Sequence, residues 1–347
     1  MILPQYILDE FGRKFQQSSI RTYDGRVKRL MKGMTEKETF DLQPLLNFSD
    51  VKSFVEKEDP ATGQPLIKIT VQKDLINTVL NVLRAENDSS RGINVNDQLI
   101  IQYEEYFNRL AKGATDYVQY QKPSVRQIEN RLTWDEIVNI KNEMRLMINK
   151  MIEDEMKLSI TQYQKYLALV LYTSIPPLRG GEYRDAIVVR GYQKGDTPDE
   201  SQDPESPHLN YHQMTGKNIF DIKNKIFVVY KHKNTTKDRK KGFTKPRIVP
   251  IQNNVVKVVK YWKKLTKSPF LFINHISGEP MGQEAFTDML NRIFKPKKIS
   301  VDMLRNIYVS HVIKTDRENI DLRKKISYLM GHDLATQEMI YSKYRNL

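Results

Sequence analysis

Apolar residues recur at helical spacing in the first block of this chain, lose that spacing between Gly113 and Arg131, and recover it straight afterwards. Two helical blocks separated by such a gap cannot bury one continuous apolar stripe, so the chain is expected to build two cores and fold as two domains. Its 347 residues give each block enough length for a core of its own. Residues 1–112 are expected to form a helical domain. Tyr23, Val27 and Leu30 share one side of a helix there, and further helices are expected over residues 51–56, 73–84 and 97–111. Arg21, Arg26, Lys28, Arg29 and Lys32 fill much of the rest of the Tyr23 helix. Such a run is either a solvated face or one that follows a phosphate backbone, and the sequence leaves both open. Residues 113–131 are expected to be a linker, because the stretch around Pro123, with Lys122 and Arg126 beside it, carries no period.

The second domain, residues 132–347, opens on Thr133-Trp134-Asp135-Glu136. A threonine three residues ahead of a glutamate is the capping-box spacing, in which the two residues satisfy each other's orphaned backbone donors. The helix it starts is expected to bury Ile137, Ile140, Met144, Met147 and Met151. Another helix over residues 160–172 runs into Pro176-Pro177, where it must stop, and Gly180-Gly181 then permit a tight turn. Residues 186–190 suit a short strand, and residues 194–207, acidic and rich in Pro, Ser and Asp, suit a flexible insertion. Residues 226–230 and 247–251 are β-branched apolar runs able to pair as a hairpin. Helices are expected over residues 254–265, 283–294, 301–314, 321–329 and the C-terminal segment. The expected fold class is mainly α with a small antiparallel β-sheet: a helical N-terminal domain plus a mixed α/β domain.

Charge narrows the partners. Lys and Arg number 56 against 42 Asp and Glu, a net charge of +14, which points to a polyanion. The excess is densest over residues 217–247, with eleven basic and two acidic side chains, and the expected hairpin tip there holds Lys231, Lys233 and Lys237. That tip is either solvated or inserted beside a nucleic-acid backbone. The chain has no cysteine, which excludes disulfides, thiolate zinc sites and cysteine nucleophiles. The first residues lack a basic and apolar leader, and the longest apolar stretch, residues 167–178, is interrupted by Thr, Ser and Pro. Neither a signal peptide nor a membrane span is expected, and the location is expected to be intracellular.

Four separated features then fall in one order: Arg179 in Pro-Pro-Leu-Arg-Gly-Gly-Glu, a lysine in the basic hairpin, Arg305 in Asp-Met-Leu-Arg, and Gly331-His332 with Tyr341 nine residues after the histidine. In that order and spacing the chain resembles the tyrosine recombinase (phage-type integrase) family over roughly residues 132–347. Its Pro-Pro-Leu-Arg and terminal Tyr-Ser-Lys-Tyr wording looks like integrases of large DNA viruses and their satellite viruses. The resemblance implies a core-binding domain in front of a catalytic domain, and a site-specific recombinase that cuts and rejoins DNA through a 3′-phosphotyrosine without metal, ATP or any other cofactor. It implies that Arg179 and Arg305 clamp the scissile phosphate, that His332 adds a hydrogen bond or helps in proton transfer, that Tyr341 attacks, and that Glu182 orients an arginine. Lys233 fits best as the acid for the departing 5′ oxygen, with Lys231 and Lys237 as alternatives, and Tyr344 competes with Tyr341 as nucleophile. DNA contacts are expected from Arg21, Arg26, Arg29, Lys122, Arg126, Lys231 and Lys237. The implied partners are double-stranded DNA and further copies of the chain, as a tetramer on paired sites, acting at DNA in a host cytoplasm or nucleus, or in a virion.

The sequence departs from the family in two places: relatives often extend past the tyrosine into a helix that docks on a neighbouring protomer, whereas six residues follow Tyr341 here, and the position three residues before Arg305, usually His or Lys, is Asp302. Lys297, Lys298 and His311 are the nearest candidates to replace that cation. A type IB topoisomerase or telomere resolvase would use the same chemistry. An architectural DNA-binding protein is the alternative of another class.

Overall fold

The computed structural model describes residues 1–15, 17–120, 123–184, 186–190, 216–230 and 246–344, the last five of these and residues 118–120 as backbone only. Lys122, the expected insertion at 194–207, and Lys231, Lys233 and Lys237 lie outside the described residues. The chain divides into two compact units, Met1–Gln121 and Lys122–Leu347.

The first unit is helical: α1 (Gln5–Lys14), α2 (Gln17–Thr35), α3 (Gln43–Leu46), α4 (Phe48–Val55), α5 (Ile69–Asp88) and α6 (Asp97–Tyr120). Leu75, Val79, Leu80 and Leu83 of α5 are buried against Ile7, Phe11, Val27, Leu30 and Tyr103, so the apolar spacing read from the sequence does form the core. α6 runs nine residues beyond the expected end at 111. Gly113 does not break it. A Cβ there would stand 2.6 Å from Ile69 Cδ1, so at the glycine α6 passes close to the start of α5. On α2 the basic face is partly self-neutralised. Arg26 pairs with Asp74 at 2.7 Å, and Lys28 and Lys32 both reach Glu38, at 2.8 and 2.9 Å. Arg21 and Arg29 are exposed.

In the second unit, α7 (Val125–Glu129) and α8 (Trp134–Glu153) both start on capping boxes. The Thr133 N–H donates to Glu136 Oε2 at 2.6 Å and the Glu136 N–H to Thr133 Oγ1 at 3.2 Å, as the spacing predicts. α8 buries Ile137 and Ile148 while Met147 is exposed, which corrects the expected face: a period of 3.6 carries the stripe from Met144 to Ile148. α9 (Ile160–Ser174) and the short α10 (Gly180–Arg184) lead into the sheet, β1 (Ala186–Val189), β2 (Asn218–Asp221), β3 (Ile226–Val229) and β4 (Arg247–Pro250), in that spatial order. β3 and β4 pair antiparallel from Ile226↔Pro250 to Val229↔Arg247, the expected hairpin partners. β1 runs parallel to β2, so the small sheet is mixed. α11 (Asn253–Thr266), α12 (Gln283–Ile293), α13 (Val301–Thr315), α14 (Ile320–Met330) and α15 (Leu334–Tyr344) complete the unit around a core that includes Leu167, Phe227, Trp262, Phe286 and Leu304. Among the described residues no helix is long and apolar enough to cross a membrane.

Candidate active site

Three helix ends and one strand end meet beside the turn between α14 and α15. The helix α9 stops at the Pro176-Pro177 pair, and Arg179 then stands at the head of α10. The Arg179 N–H donates to Glu182 Oε2 at 3.0 Å, one half of a capping box, which folds the Glu182 carboxylate back under the arginine. Glu182 is 2% exposed and Arg179 29%. The Arg179 guanidinium donates through Nη2 to the Gly331 carbonyl at 3.2 Å, and its Nη1 lies 3.7 Å from Glu182 Oε1.

Arg305 enters from α13, whose first turn is fixed by Ser300 Oγ accepting from the Met303 N–H at 3.2 Å. Its Nη1 donates to the Pro177 carbonyl at 2.8 Å and its Nη2 to the Met330 carbonyl at 3.0 Å, so it is only 7% exposed. The Pro-Pro stop and the end of α14 are thereby tied to one guanidinium.

Gly331 closes α14. Its φ is +68°, its N–H donates to the Tyr328 carbonyl and the His332 N–H to the Ser327 carbonyl, both at 3.1 Å, which is the Schellman arrangement. The Gly-His pair is therefore the stop of one helix as well as the approach to the next. Asp333 then caps α15 by accepting the Thr336 N–H at 2.7 Å, and hydrogen bonding from the Thr336 hydroxyl, and after it from this N–H, lowers its pKa.

That turn delivers the His332 ring to Arg305. Nδ1 lies 3.3 Å from Arg305 Nη2. A guanidinium has donors only, so Nδ1 must accept and the ring proton sits on Nε2. Burial, and after it the positive charges of Arg305, Arg179 and Arg247, push the His332 pKa down to about 4, so the ring is neutral at pH 7. Nε2–H is buried without a partner among the described residues. His332 is thus a neutral hydrogen-bond donor beside two arginines.

The third arginine was not picked out in the sequence. Arg247, at the start of β4, is 7% exposed and donates through Nη2 to Glu182 Oε1 at 2.7 Å. Its signal was present: in a strand of period two, Arg247 falls on the same face as the fully buried Val249, while Ile248 between them is exposed. In the sequence alone it is indistinguishable in type from the other charges of the basic hairpin.

Arg179, Glu182, Arg305 and His332 are brought together. Tyr341 and Tyr344 are on α15, which begins two residues after His332, with their side chains outside the description. α15 is held to α14 through Arg323, whose Nη2 pairs with Glu338 and whose carbonyl accepts from Gln337 Nε2 at 3.2 Å. Asp302 lies exposed in the first turn of α13. Two of the three candidates to replace a cation there are engaged elsewhere. Lys297 bonds the Glu129 carbonyl, Lys298 is exposed, and His311 stacks on Trp134 with ring centroids 5.8 Å apart. Arg126 is exposed on α7.

No protein-family model matches the chain, and no curated protein matches it. Among solved structures, the XerH site-specific recombinase bound to palindromic difH substrate, a post-cleavage complex, is similar with a TM-score of 0.51 and 14% identity, over 95% of this chain and 77% of that one. The XerA recombinase is similar with a TM-score of 0.38 and 15% identity, over 97% of this chain and 91% of that one.

Proposed function

From a chain that has the tyrosine-recombinase fold, we propose a site-specific DNA recombinase that works through a 3′-phosphotyrosine. One observation carries this reading: the guanidiniums of Arg179 and Arg247 share the single buried carboxylate of Glu182, and Arg305 with the neutral His332 donor stands beside them, so the cluster holds more positive charge than it can neutralise and suits a phosphate. Arg179 and Arg305 grip the non-bridging oxygens, and His332 Nε2–H donates a further hydrogen bond as charge builds on them. The Tyr341 hydroxyl loses its proton and attacks phosphorus, the bond to the 5′ oxygen breaks, and Lys233, or in its place Lys231 or Lys237, protonates that oxygen. The phosphotyrosine conserves the energy of the bond, so a new 5′ hydroxyl can reverse the step without ATP. Stabilisation of this preorganised kind is commonly worth roughly 3–4 kcal/mol per donor removed.

The partner is double-stranded DNA. In this reading Met1–Gln121 is the core-binding unit, with Arg21 and Arg29 as its exposed contacts, while Arg126, Lys122, Lys231 and Lys237 track phosphates from the second unit. Exchange between two sites needs four cuts, hence four protomers in a closed ring on DNA. The test is a pool of nicked duplexes with a randomised core, from which a cut strand end diffuses away. The expected result is a covalent adduct that survives denaturation and disappears in Tyr341→Phe; sequencing the trapped DNA gives the site. Relaxation of supercoiled plasmid by a monomer, with no exchange between paired sites, would instead assign a topoisomerase. Absence of any adduct would leave an architectural DNA-binding protein.

A further inference from the structure

Arg247 has more donors than Glu182 can answer. Its Nη2 is bonded to Glu182 Oε1, but Nε and Nη1 are buried and have no partner among the described residues. The same Oε1 is also approached by Arg179 Nη1 at 3.7 Å. One carboxylate cannot neutralise both guanidiniums, and with Arg305 close by the cluster keeps an excess of positive charge. The location of the unanswered end is defined by Gly331: a Cβ built there would stand 2.0 Å from Arg247 Nη1 and 3.3 Å from Arg179 Nη1. The two nitrogens are therefore no further apart than the sum of those distances. A buried cation with unsatisfied donors is costly unless an anion completes it.

We infer that Arg247 is a third arginine of the phosphate pocket, a positioning residue that holds Glu182 under Arg179 and supplies the positive charge that Asp302 does not. The assignment rests on the phosphate chemistry proposed above. It also accounts for the engagement of Lys297 and His311 elsewhere, since the missing cation comes from β4 and not from the region around α13.

Two measurements on the full chain separate this role from a purely structural ion pair. In the first, inorganic phosphate is titrated at constant ionic strength and its binding read from the thermal midpoint and by calorimetry. Wild type is expected to bind. The double variant Glu182→Gln/Arg247→Met, which removes the pair without stranding a buried carboxylate, is expected to fold with unchanged circular dichroism and to bind about tenfold more weakly or less. Arg247→Lys, which keeps the charge, is expected to fall between them. Affinity in the folded double variant equal to wild type, or no phosphate binding by wild type, overturns the inference. In the second, adduct formation is timed on DNA recovered from the randomised pool, with the scissile group either a phosphodiester or a methylphosphonate that lacks one charged oxygen. Arg247→Met is expected to slow the phosphodiester on the order of 100-fold and the methylphosphonate much less. An equal slowing on both would reduce Arg247 to a structural role. If wild type binds phosphate but never forms the Tyr341 adduct, the recombinase reading fails while the phosphate titration still decides Arg247.

Discussion

Replacing Gly331 by alanine tests the packing of the pocket without replacing any charged group. Two costs combine. The φ of +68° lies in the left-handed region, where a Cβ costs roughly 1–2 kcal/mol. The added carbon would also stand 2.0 Å from Arg247 Nη1 and 3.0 Å from its Cζ. Restoring ordinary contact moves that guanidinium by more than an ångström, and the predicted consequence is loss of the bond from Nη2 to Glu182 Oε1, now at 2.7 Å. Loss of a buried pair costs about 3–5 kcal/mol. Since the arginine can swing part of the way, we expect Gly331→Ala to lose about 3–5 kcal/mol in all. Gly278→Ala is the internal control. That glycine has φ +74° in the same unit with no atom within 4 Å of its would-be Cβ, so only the backbone cost, about 1–2 kcal/mol, applies. Urea unfolding of both variants reads the difference. Equal destabilisation of the two would refute the close approach of Arg247 to the turn.

Three further outcomes follow from the same geometry. The folded His332 pKa of about 4 lies below the ordinary 6.5, so the unfolded chain binds the proton first. His332 therefore contributes stability above pH 6.5 that is lost as pH falls toward 4, at most about 3 kcal/mol and nearer 2 given the partly exposed ring; urea midpoints at pH 7 and 5 should converge more in His332→Gln than in wild type. Arg323→Met should release α15, raising amide hydrogen exchange there about tenfold with the sheet unaffected; unchanged exchange would mean that Arg323 does not anchor that helix. DNA affinity should fall steeply with salt, and Arg21→Ala or Arg29→Ala should each lower the logarithmic slope by about 1, whereas Arg26→Ala, already paired with Asp74, should change it less.

The legible parts of this chain were those with a local cause. Thr133-x-x-Glu136 marked the start of α8 because the reciprocal cap is built by two residues three positions apart. The β3–β4 pairing was readable because both runs are apolar and β-branched. β2 was not, because Asn218 and Asp221 interrupt its apolar run, and both are polar for tertiary and turn reasons: Asn218 Nδ2 donates to the Glu182 carbonyl at 2.9 Å, and Asp221 Oδ1 accepts the N–H groups of Lys223 and Asn224. The end of α6 was not legible because the apolar period fades after residue 111 while the helix runs on to Tyr120. That Arg179, Glu182, Arg305 and His332 would lie together was expected from the family resemblance, and they do. Arg247 was obscured by the charge run around it, and only its register against Val249 marked it as buried.

The central claim is that the positive pocket serves a tyrosine nucleophile acting on DNA. It is tested most directly by denaturing electrophoresis of the protein after incubation with the nicked, randomised duplex pool. We expect a DNA-linked species in wild type that is sensitive to protease, absent in Tyr341→Phe and strongly reduced in Arg179→Ala and Arg305→Ala. A linked species that persists in Tyr341→Phe, or none in wild type, would contradict the account.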